Sequence, residues 1–523
     1  MKLTVTIFVF VSLLIVLLSP ADLNAEIKEG DTLKFWSVSY VDWLQPPLPA
    51  QKEISAVCKK VGEKCYVFVE ADYPGFINQQ SIDNLVSKFD TSFTKNLVPL
   101  YGPIPDALDK DPRIFILAVD SVWWGGYFDP THQMPDSMVN RLWNIHSSER
   151  EIIYITVDAL SWDASGTVAH EFGHMLQWGQ DHSPEPRDNP TFYWEDTWID
   201  EGFSTFAAVY LGGDIYQSGV FDYSPFFAAD PNTSLIYFSS YSCSRLYMIF
   251  MFEHYGGKEY IKTLISDQAN GIKGVRNTLS KLGYKETFED TFEHWVLTNY
   301  LQNKNYMDGK YSYNHYDFPA AMVFGSFFTF PNSTTHDLKP FGSDYLLLEN
   351  LMEKPLEIKF EGDTTSKFRV AMVFFNSSDS SIQGIKTMNL NNGSTGKYID
   401  DSSGIKYDRI LLAVMNIDTN LTDSQTGNYK INFAYQETDV YESADNNNIF
   451  VYPNPANDII NIDLKSNYVS RKDIEIYSID GSLVQKENCF DQTIRLNIGK
   501  LQPGSYLIKV NIDGKVYKYK FVK

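Results

Sequence analysis

Two histidines and a glutamate stand at a spacing that suits metal-dependent hydrolysis. His170 and His174 are four positions apart in the run Thr167-Val-Ala-His-Glu-Phe-Gly-His-Met-Leu-Gln-Trp178. On a helix this spacing places both imidazoles on one face, close enough to bind the same metal ion. Glu171 follows the first histidine and would project toward that ion without having to bind it. The pattern, H-E-x-x-H, therefore predicts a metal site with a free carboxylate beside it.

Zinc is the metal that this pair favours, because it accepts neutral imidazole nitrogens and keeps a fourth position open for water. Water bound to zinc has a pKa of about 7, so Glu171 could act as the general base that takes its proton. Chance is the alternative, and with nine histidines in 523 residues the pattern arises by accident in roughly one chain in a hundred. Apolar neighbours of the kind a buried helix needs are Val168, Ala169, Phe172, Met175 and Leu176.

Two histidines need a third protein ligand, and its place separates the classes of zinc peptidase. The extended pattern H-E-x-x-H-x-x-G-x-x-H requires glycine and a ligand where this chain has Gln177 and Gln180, which disfavours that class. Downstream, the apolar spacing of Thr197–Tyr210 suits a second helix with Asp200 and Glu201 in its first turns.

The segment Asp200-Glu-Gly-Phe-Ser204 resembles the second motif of the gluzincins, which opens with Asn-Glu-Gly-Phe-Ala or a near variant. Within the gluzincins the chain is most similar to the hyicolysin-type neutral metallopeptidases, over about residues 30–310. The resemblance implies a secreted zinc metallopeptidase with Glu171 as general base, one Zn²⁺ per chain and a protein or peptide substrate. The zinc ligands that it implies are His170, His174 and Glu201.

In its details the sequence departs from the gluzincin pattern. Glu201 lies 27 positions after His174, farther than the commonest family spacing, and Asp200 replaces the usual asparagine. Thr205 stands where thermolysin-like relatives have an aspartate that orients a zinc histidine, so this partner must come from elsewhere. For the acidic insertion Gln180–Asp196 we expect a solvated loop, with a Ca²⁺ site as the alternative.

A two-lobed domain of residues 26–312 is expected to position these groups. In its N-terminal lobe, Cys65–Glu70 and Arg113–Asp120 predict strands, and Ile82–Tyr101 predicts an amphipathic helix. The run Glu151–Val157 predicts an edge strand beside the zinc helix, where an extended peptide could pair through its main chain.

The second lobe is expected to be helical, and Tyr241 at its start is a candidate for the phenol that donates to the developing oxyanion. Tyr237 and Tyr247 are alternatives, and in a chain with 33 tyrosines a core role is open for each of them. The helices are predicted at Tyr241–Tyr255, Gly257–Ser266, Val275–Leu282 and Thr287–Asn303. His254 and His294 on these helices are expected to be hydrogen-bonded structural residues. Trp123–Tyr127 predicts an aromatic loop, near the cleft or used for packing.

Two β-rich domains are expected after the peptidase domain, which makes the predicted fold class α+β. Short strand patterns between Asn, Ser, Gly and Asp turns predict an antiparallel β-sandwich over residues 313–437. It would bind glycan or protein, or only support the peptidase. A polar linker over 438–449 then precedes a small immunoglobulin-like sandwich over 450–523. The whole would be a zincin-type two-lobed metallopeptidase domain followed by these two sandwiches.

The last segment contains Tyr452-Pro-Asn-Pro455, Gly504-Ser-Tyr506 and the terminal Lys520-Phe-Val-Lys523. In combination they resemble the type A C-terminal sorting domain of the type IX secretion system of Bacteroidota, over all of 450–523. The resemblance implies that the type IX machinery is a partner and that the protein is secreted or attached to the cell surface. A small accessory β-sandwich is the alternative.

Export is also what the first residues predict. Lys2 precedes an apolar run that ends at Leu18 and is shorter than the ~20 residues of a spanning helix. With a small residue at Ala25, residues 1–25 read as a secretory signal peptide. No other stretch is apolar enough to span a bilayer, so no transmembrane anchor is expected in the mature chain. The net charge of −22 argues against nucleic acid and anionic membranes as partners.

Four cysteines are present, and an exported protein can form disulfides. Cys58 and Cys65 bracket a predicted hairpin turn and could bridge it, whereas Cys243 and Cys489 are expected to be free, buried thiols.

Two other classes of function remain open. A surface adhesin or glycan-binding protein could keep a zinc fold without turnover, although an intact Glu171 argues against it. A zinc hydrolase of a non-peptide bond would carry the same motif.

Overall fold

The computed structural model describes residues 26–38, 51–106, 108–120, 125–181, 195–211, 224–238, 240–400, 406–436, 449–464, 471–491, 493–512 and 515–523. Several expectations fall outside these ranges and stay predictions. They are the signal peptide, Trp123 and Trp124 of the aromatic loop, residues 182–194 of the acidic insertion and nearly all of the linker.

A six-stranded sheet is the centre of the N-terminal part. Its strands are β1 Thr32–Val38, β2 Gln51–Val61, β3 Cys65–Glu70, β4 Ile114–Val119, β5 Gly126–Phe128 and β6 Ile152–Thr156. They lie in the order β1-β2-β3-β4-β6-β5, with β3, β4 and β6 parallel and the other pairs antiparallel. The helices of this part are α1 Gln79–Lys88, α2 Thr94–Tyr101 and α3 Asp136–Trp143.

The three parallel strands are buried on both faces, which explains their unbroken apolar sequences. One face packs against α1 and α2, and the other packs against Phe35 of β1. The strands predicted at Cys65–Glu70 and Arg113–Asp120 are therefore present as β3 and β4. The helix predicted at Ile82–Tyr101 is α1 and α2, joined by one π-helical turn at Phe89–Phe93.

The prediction that Glu151–Val157 forms an edge strand is wrong. β6 pairs with β4 on one side and with β5 on the other, so β5 is the outer strand. A three-residue strand that opens with glycine gives no periodic signal in the sequence, and its pairing depends on tertiary contacts.

Seven helices follow: α4 Ser165–Asp181, α5 Thr197–Tyr210, α6 Ser224–Ala229, α7 Tyr241–His254, α8 Lys258–Ile265, α9 Gly271–Lys281 and α10 Phe288–Leu301. The last four correspond to the four helices predicted after the metal motifs. The start of α10 is fixed by a capping box in which Thr287 and Asp290 exchange hydrogen bonds. Within the described residues, no helix has both the length and the apolar composition that a bilayer span requires.

The predicted β-sandwich is formed by two five-stranded sheets. Its strands are β7 Gly325–Phe327, β8 Asn332–Leu338, β9 Ser343–Leu348, β10 Leu356–Gly362, β11 Phe368–Phe375, β12 Ile382–Thr387, β13 Leu390–Asn391, β14 Thr395–Asp400, β15 Arg409–Asn416 and β16 Gly427–Tyr435. The sheet orders are β13-β14-β10-β16-β8 and β12-β11-β15-β9-β7. One pair departs from the expected antiparallel arrangement, because β7 runs parallel to β9.

The second of these sheets is buried on both faces. Along β9, Leu346 and Leu348 face the other sheet, whereas Tyr345 and Leu347 belong to the core of the helices. The hydroxyl of Tyr345 donates to the carbonyl oxygen of Val296 in α10 at 2.6 Å. The helices and the sandwich therefore share one hydrophobic core across the expected boundary at 312–313.

The C-terminal segment has a core of its own between a three-stranded and a four-stranded sheet. Its strands are β17 Ile449–Tyr452, β18 Ile459–Leu464, β19 Lys472–Ser478, β20 Leu483–Cys489, β21 Thr493–Asn497, β22 Ser505–Ile512 and β23 Lys515–Val522. All of its strand pairs are antiparallel, as expected for a small sandwich.

The proposed bridge between Cys58 and Cys65 is not formed. Both thiols are free and buried, and they lie on opposite faces of the sheet, Cys58 with Phe35 and Cys65 with α1. Cys243 is free and buried as expected, whereas Cys489 is free and only half-buried.

Candidate metal centre

Helix α4 buries its apolar residues in the core and keeps its two histidines partly exposed. Phe172, Met175 and Leu176 are fully buried in the main core, where the ring of Phe172 lies 4.9 Å from that of Phe89. The side chains of His170 and His174 keep 12% of their surface exposed. The amphipathic pattern of the motif thus anchors α4 and leaves both imidazoles accessible.

Three side-chain atoms from α4 and α5 converge at one point. Nε2 of His170 and Nε2 of His174 are 3.2 Å apart. Oε2 of Glu201 lies 3.3 Å from Nε2 of His170 and 3.6 Å from Nε2 of His174. The two histidines and the glutamate singled out in the sequence are therefore brought together, although 27 positions separate the second histidine from Glu201.

These separations suit zinc. Bonds of about 2.0–2.2 Å at tetrahedral angles put neighbouring ligand atoms about 3.3–3.6 Å apart. The buried Oε2 of Glu201 makes no well-aligned hydrogen bond, so it is available to a cation. Burial raises the pKa of Glu201, but the imidazoles of His170 and His174 lower it by more, so this side chain is a carboxylate at neutral pH. Two imidazoles and one carboxylate are the donor set of a hydrolytic zinc site.

Two glycines allow the helices to come this close. A methyl group placed on Gly173 of α4 would lie 2.9 Å from Cα of Ser204 in α5. A methyl group on Gly202 of α5 would lie 3.3 Å from the carbonyl oxygen of Ser244 in α7. The short distance between α4 and α5 is what brings Glu201 to the histidines.

Asp200 provides the partner that the sequence left unassigned. Its Oδ1 lies 2.7 Å from Nδ1 of His174, so Nδ1–H donates to the carboxylate and Nε2 is left to bind a cation. Burial lowers the pKa of His174, but Asp200 and then Glu201 raise it well above its usual value. Thr205, which replaces the usual aspartate, instead donates its hydroxyl to the carbonyl oxygen of Glu201 at 2.7 Å.

Glu171 lies between the histidines and the outer strand of the sheet. It is 6% exposed, and burial raises its pKa although His170 and His174 act in the opposite direction. A methyl group on Gly126 of β5 would lie 3.4 Å from Cγ of Glu171 and 2.5 Å from the carbonyl oxygen of Tyr154. Gly126 belongs to the run Trp123–Tyr127, predicted as an aromatic loop near the cleft or used for packing; its last two residues begin β5, and Gly126 lets this strand pass directly beside the glutamate.

Of the three candidate tyrosines, Tyr241 is the one beside the metal centre. Its ring centroid lies 6.1 Å from that of His170, and the residue is 39% exposed. The hydroxyl of Tyr237 instead donates to the carbonyl oxygen of Leu421. The hydroxyl of Tyr247 is buried against Thr291.

A second group of acidic side chains was not recognised in the sequence. Ligand atoms of Asp106, Asp109 and Glu151 lie within 4.8 Å of one another. Arg150 offsets part of their charge, with Nη1 3.6 Å from Oδ2 of Asp109. This group contains no histidine, so it does not match the donor set that the sequence predicts for zinc.

The comparisons with known proteins identify one part of the chain. Residues 450–523 match the secretion system C-terminal sorting domain, so this segment is a type IX sorting domain and the protein is exported, to the medium or the cell surface. The secretion machinery is accordingly a partner of this segment. No curated protein matches the chain.

Among solved structures the likenesses are distant. A DUF3244-family protein with an immunoglobulin-like β-sandwich from Bacteroides vulgatus is 16% identical, covering 15% of this chain and 87% of that one, with a TM-score of 0.14. The pre-peptidase C-terminal domain of a Bacillus anthracis collagenase is 11% identical, covering 21% and 96%, with a TM-score of 0.17. A β-1,2-glucanase from Parabacteroides distasonis is 12% identical, covering 37% and 33%, with a TM-score of 0.16. At these TM-scores the likenesses say nothing about activity.

Proposed function

We propose that this protein is an exported zinc metallopeptidase of the gluzincin type that cleaves extracellular proteins or peptides. The observation that carries the proposal is the convergence of Nε2 of His170, Nε2 of His174 and Oε2 of Glu201 at 3.2–3.6 Å, with Glu171 beside them. Two further features support it. One is the sequence likeness to the hyicolysin-type peptidases, and the other is that α4 and α5 present these groups beside the outer strand β5.

Each residue around the centre has a separate role in the proposed hydrolysis. His170, His174 and Glu201 would hold the zinc ion, which would act as a Lewis acid and lower the pKa of a bound water molecule to about 7. Glu171 accepts the proton of the attacking water and delivers it to the leaving amine. The phenol of Tyr241 donates a hydrogen bond to the oxyanion that develops on the scissile carbonyl. Asp200 keeps Nδ1 of His174 protonated and its ring in place.

A peptide substrate fits the outer edge of the sheet. β5 has a paired side toward β6 and an outer side, and Gly126 brings this strand against Glu171. An extended peptide that paired with β5 would therefore present its carbonyls close to the general base.

Two other functions remain as alternatives. An adhesin on the same scaffold would not need Glu171, whose burial between the histidines and β5 favours turnover. A zinc hydrolase of a non-peptide bond would use the same centre, and a peptide substrate is favoured over it by the sequence likeness and by the adjacent strand edge.

The test is an assay of the purified exported protein with a mixed peptide library, combined with metal analysis. We expect about one zinc per chain, loss of cleavage with a chelator and recovery on adding Zn²⁺. If the protein binds zinc and cleaves no peptide but hydrolyses esters or amides of other kinds, the non-peptide hydrolase is favoured. Zinc without any turnover would favour the adhesin.

A further inference from the structure

The segment Asp230–Phe238, which leads into α7, is held by the β-sandwich. The amide of Leu235 donates to the carbonyl oxygen of Phe341 at 3.1 Å, and the amide of Ser343 donates to that of Pro231 at 3.1 Å. Two bonds of opposite direction join this segment to the corner between β8 and β9, as in a short piece of sheet.

Side chains add to this attachment. Nδ2 of Asn232 donates to the carbonyl oxygen of Asp337 at 2.8 Å, and its Oδ1 accepts from the amide of Lys339 at 2.9 Å. The buried hydroxyl of Ser234 donates to the carbonyl oxygen of Pro340 at 2.6 Å. The side chains of Asn232 and Ser234 therefore satisfy backbone groups of the corner that would otherwise need water.

Of the hydrogen bonds that hold this segment, those of Tyr237 lie nearest to Tyr241 along the chain. Its amide donates to Oγ of Ser234 at 3.2 Å, and its hydroxyl donates to the carbonyl oxygen of Leu421 at 2.6 Å. Leu421 is 184 positions away, in the loop between β15 and β16. The sandwich thus holds the side chain of Tyr237 directly, and it holds the backbone of Tyr237 through Ser234, whose hydroxyl is bonded to Pro340.

The next residues reach the metal centre. Phe238 packs edge-on against Tyr241, with ring centroids 5.0 Å apart, and Tyr241 lies 6.1 Å from His170. Tyr241 is the first residue of α7, and the side chain of Ser240 makes no capping bond there. The first turn of α7 therefore has no side-chain cap from Ser240, and in the sequence it follows closely on the segment that the sandwich holds.

We propose that the β-sandwich positions Tyr241 in the metal centre, with Tyr237 as the positioning residue. This inference rests on the proposed function and extends it, because the sandwich becomes part of the catalytic unit. A displaced Tyr241 would still allow substrate to bind but would place the phenol poorly for the oxyanion, so the effect should fall on kcat.

Two conservative variants test it. Tyr237→Phe removes only the hydroxyl that reaches Leu421, and Tyr345→Phe is the matched control. The control also loses a tyrosine hydroxyl that donates to a backbone carbonyl at 2.6 Å across the same interface, but in α10 rather than before Tyr241. We expect Tyr237→Phe to lower kcat about tenfold or more, with KM and zinc content little changed. Tyr345→Phe should lower the Tm but leave kcat unchanged.

A double-mutant cycle decides whether the effect passes through Tyr241. In a Tyr241→Phe background, Tyr237→Phe should have no further effect on kcat, because the phenol that it positions is gone. An equal loss of kcat with and without the Tyr241 hydroxyl would overturn the proposal. So would an equal loss in the Tyr345→Phe control.

Amide hydrogen exchange separates this proposal from the proposed function. In zinc-loaded protein, Tyr237→Phe should speed exchange in residues 240–246 of α7, whereas Tyr345→Phe should not. Unchanged exchange there would overturn the positioning role even if the wild-type protein is an active peptidase. If the wild-type protein cleaves no peptide, the proposed function fails, while this measurement still decides whether the sandwich holds the start of α7.

Discussion

Nδ1 of His174 lies 2.7 Å from Oδ1 of Asp200, while Nε2 of the same ring lies 3.6 Å from Oε2 of Glu201. Adjacent residues on a helix point about 100° apart, so these two carboxylates of α5 can approach the imidazole at different atoms. Asp200 accepts from the protonated Nδ1, and Glu201 lies beside Nε2, the nitrogen that would bind a metal ion. Asp200 and Glu201 therefore have separable roles.

Substitution at each position should show the difference. Glu201→Ala should lower zinc content and abolish activity together, because two imidazoles alone hold zinc weakly. Asp200→Asn keeps an oxygen that can accept from Nδ1 and should retain zinc while losing about 10–100-fold in activity. Metal analysis and peptide cleavage on both purified variants check this. If Asp200→Asn loses the zinc and Glu201→Ala keeps it, the ligand is Asp200.

The proposed general base can be tested with the smallest available change. Glu171→Gln preserves the shape of a 6% exposed side chain but cannot accept a proton. We expect an unchanged fold, about one zinc per chain and a loss of turnover of about 10²–10⁴-fold. Circular dichroism, metal analysis and kcat are the measurements, and near-normal turnover would remove Glu171 from the mechanism.

The sequence predicted the histidine pair from local geometry and Glu201 from the gluzincin resemblance. The four-residue spacing of His170 and His174 requires only that α4 be a helix. The roles of Asp200 and Gly126 depend on distances between elements, and no spacing along the chain reports them. The contact of Tyr237 with Leu421 joins residues 184 positions apart. The hydrophobic core that the helices share with the sandwich therefore could not be predicted from sequence patterns.

The close approach of α4 to α5 can be tested at Gly173. Gly173→Ala would put a methyl group 2.9 Å from Cα of Ser204, and backbone cannot yield as a side-chain tip does. We expect α5 to move away and Glu201 with it, which should weaken zinc binding by about tenfold or more. Gly179→Ala on the same helix is the control, because its methyl group would meet only the ring of Pro105 at 3.1 Å.

The measurement for both glycine variants is the zinc dissociation constant, obtained by competition with a chelator. Gly179→Ala should change thermal stability without changing that constant. Equal zinc affinity in wild-type protein and Gly173→Ala would show that the helix crossing tolerates a methyl group.

His294 should make stability depend on pH. Its Nε2–H donates to the carbonyl oxygen of Lys310, and its Nδ1 accepts from the hydroxyl of Tyr255 at 3.0 Å, so the neutral ring is fully bonded. Burial, chiefly, lowers its pKa to about 3. Because the folded pKa lies below the unfolded value of about 6.5, this contribution is present above pH 6.5 and is lost as the pH falls toward 3.

Urea unfolding of wild-type protein and His294→Gln at several pH values isolates this contribution. Below pH 6.5 the wild-type protein should lose up to about 1.4 kcal/mol more per pH unit than the variant. Parallel stability curves for the two proteins would mean that the pKa of His294 is the same in the folded and unfolded states.

The final prediction separates export from catalysis. Residues 450–523 have their own hydrophobic core, distinct from the core that contains α4 and α5 and from that of the larger sandwich. Ending the chain at residue 436 should therefore leave the fold and zinc binding intact, and peptide cleavage in lysed cells unchanged. Because 450–523 is the sorting domain, the shortened protein should remain in the periplasm. Cell fractionation with activity measured in each fraction checks both expectations. Normal appearance of the shortened chain in the medium would mean that another segment directs export. Loss of cleavage in the lysate would mean instead that the sorting domain supports the catalytic unit.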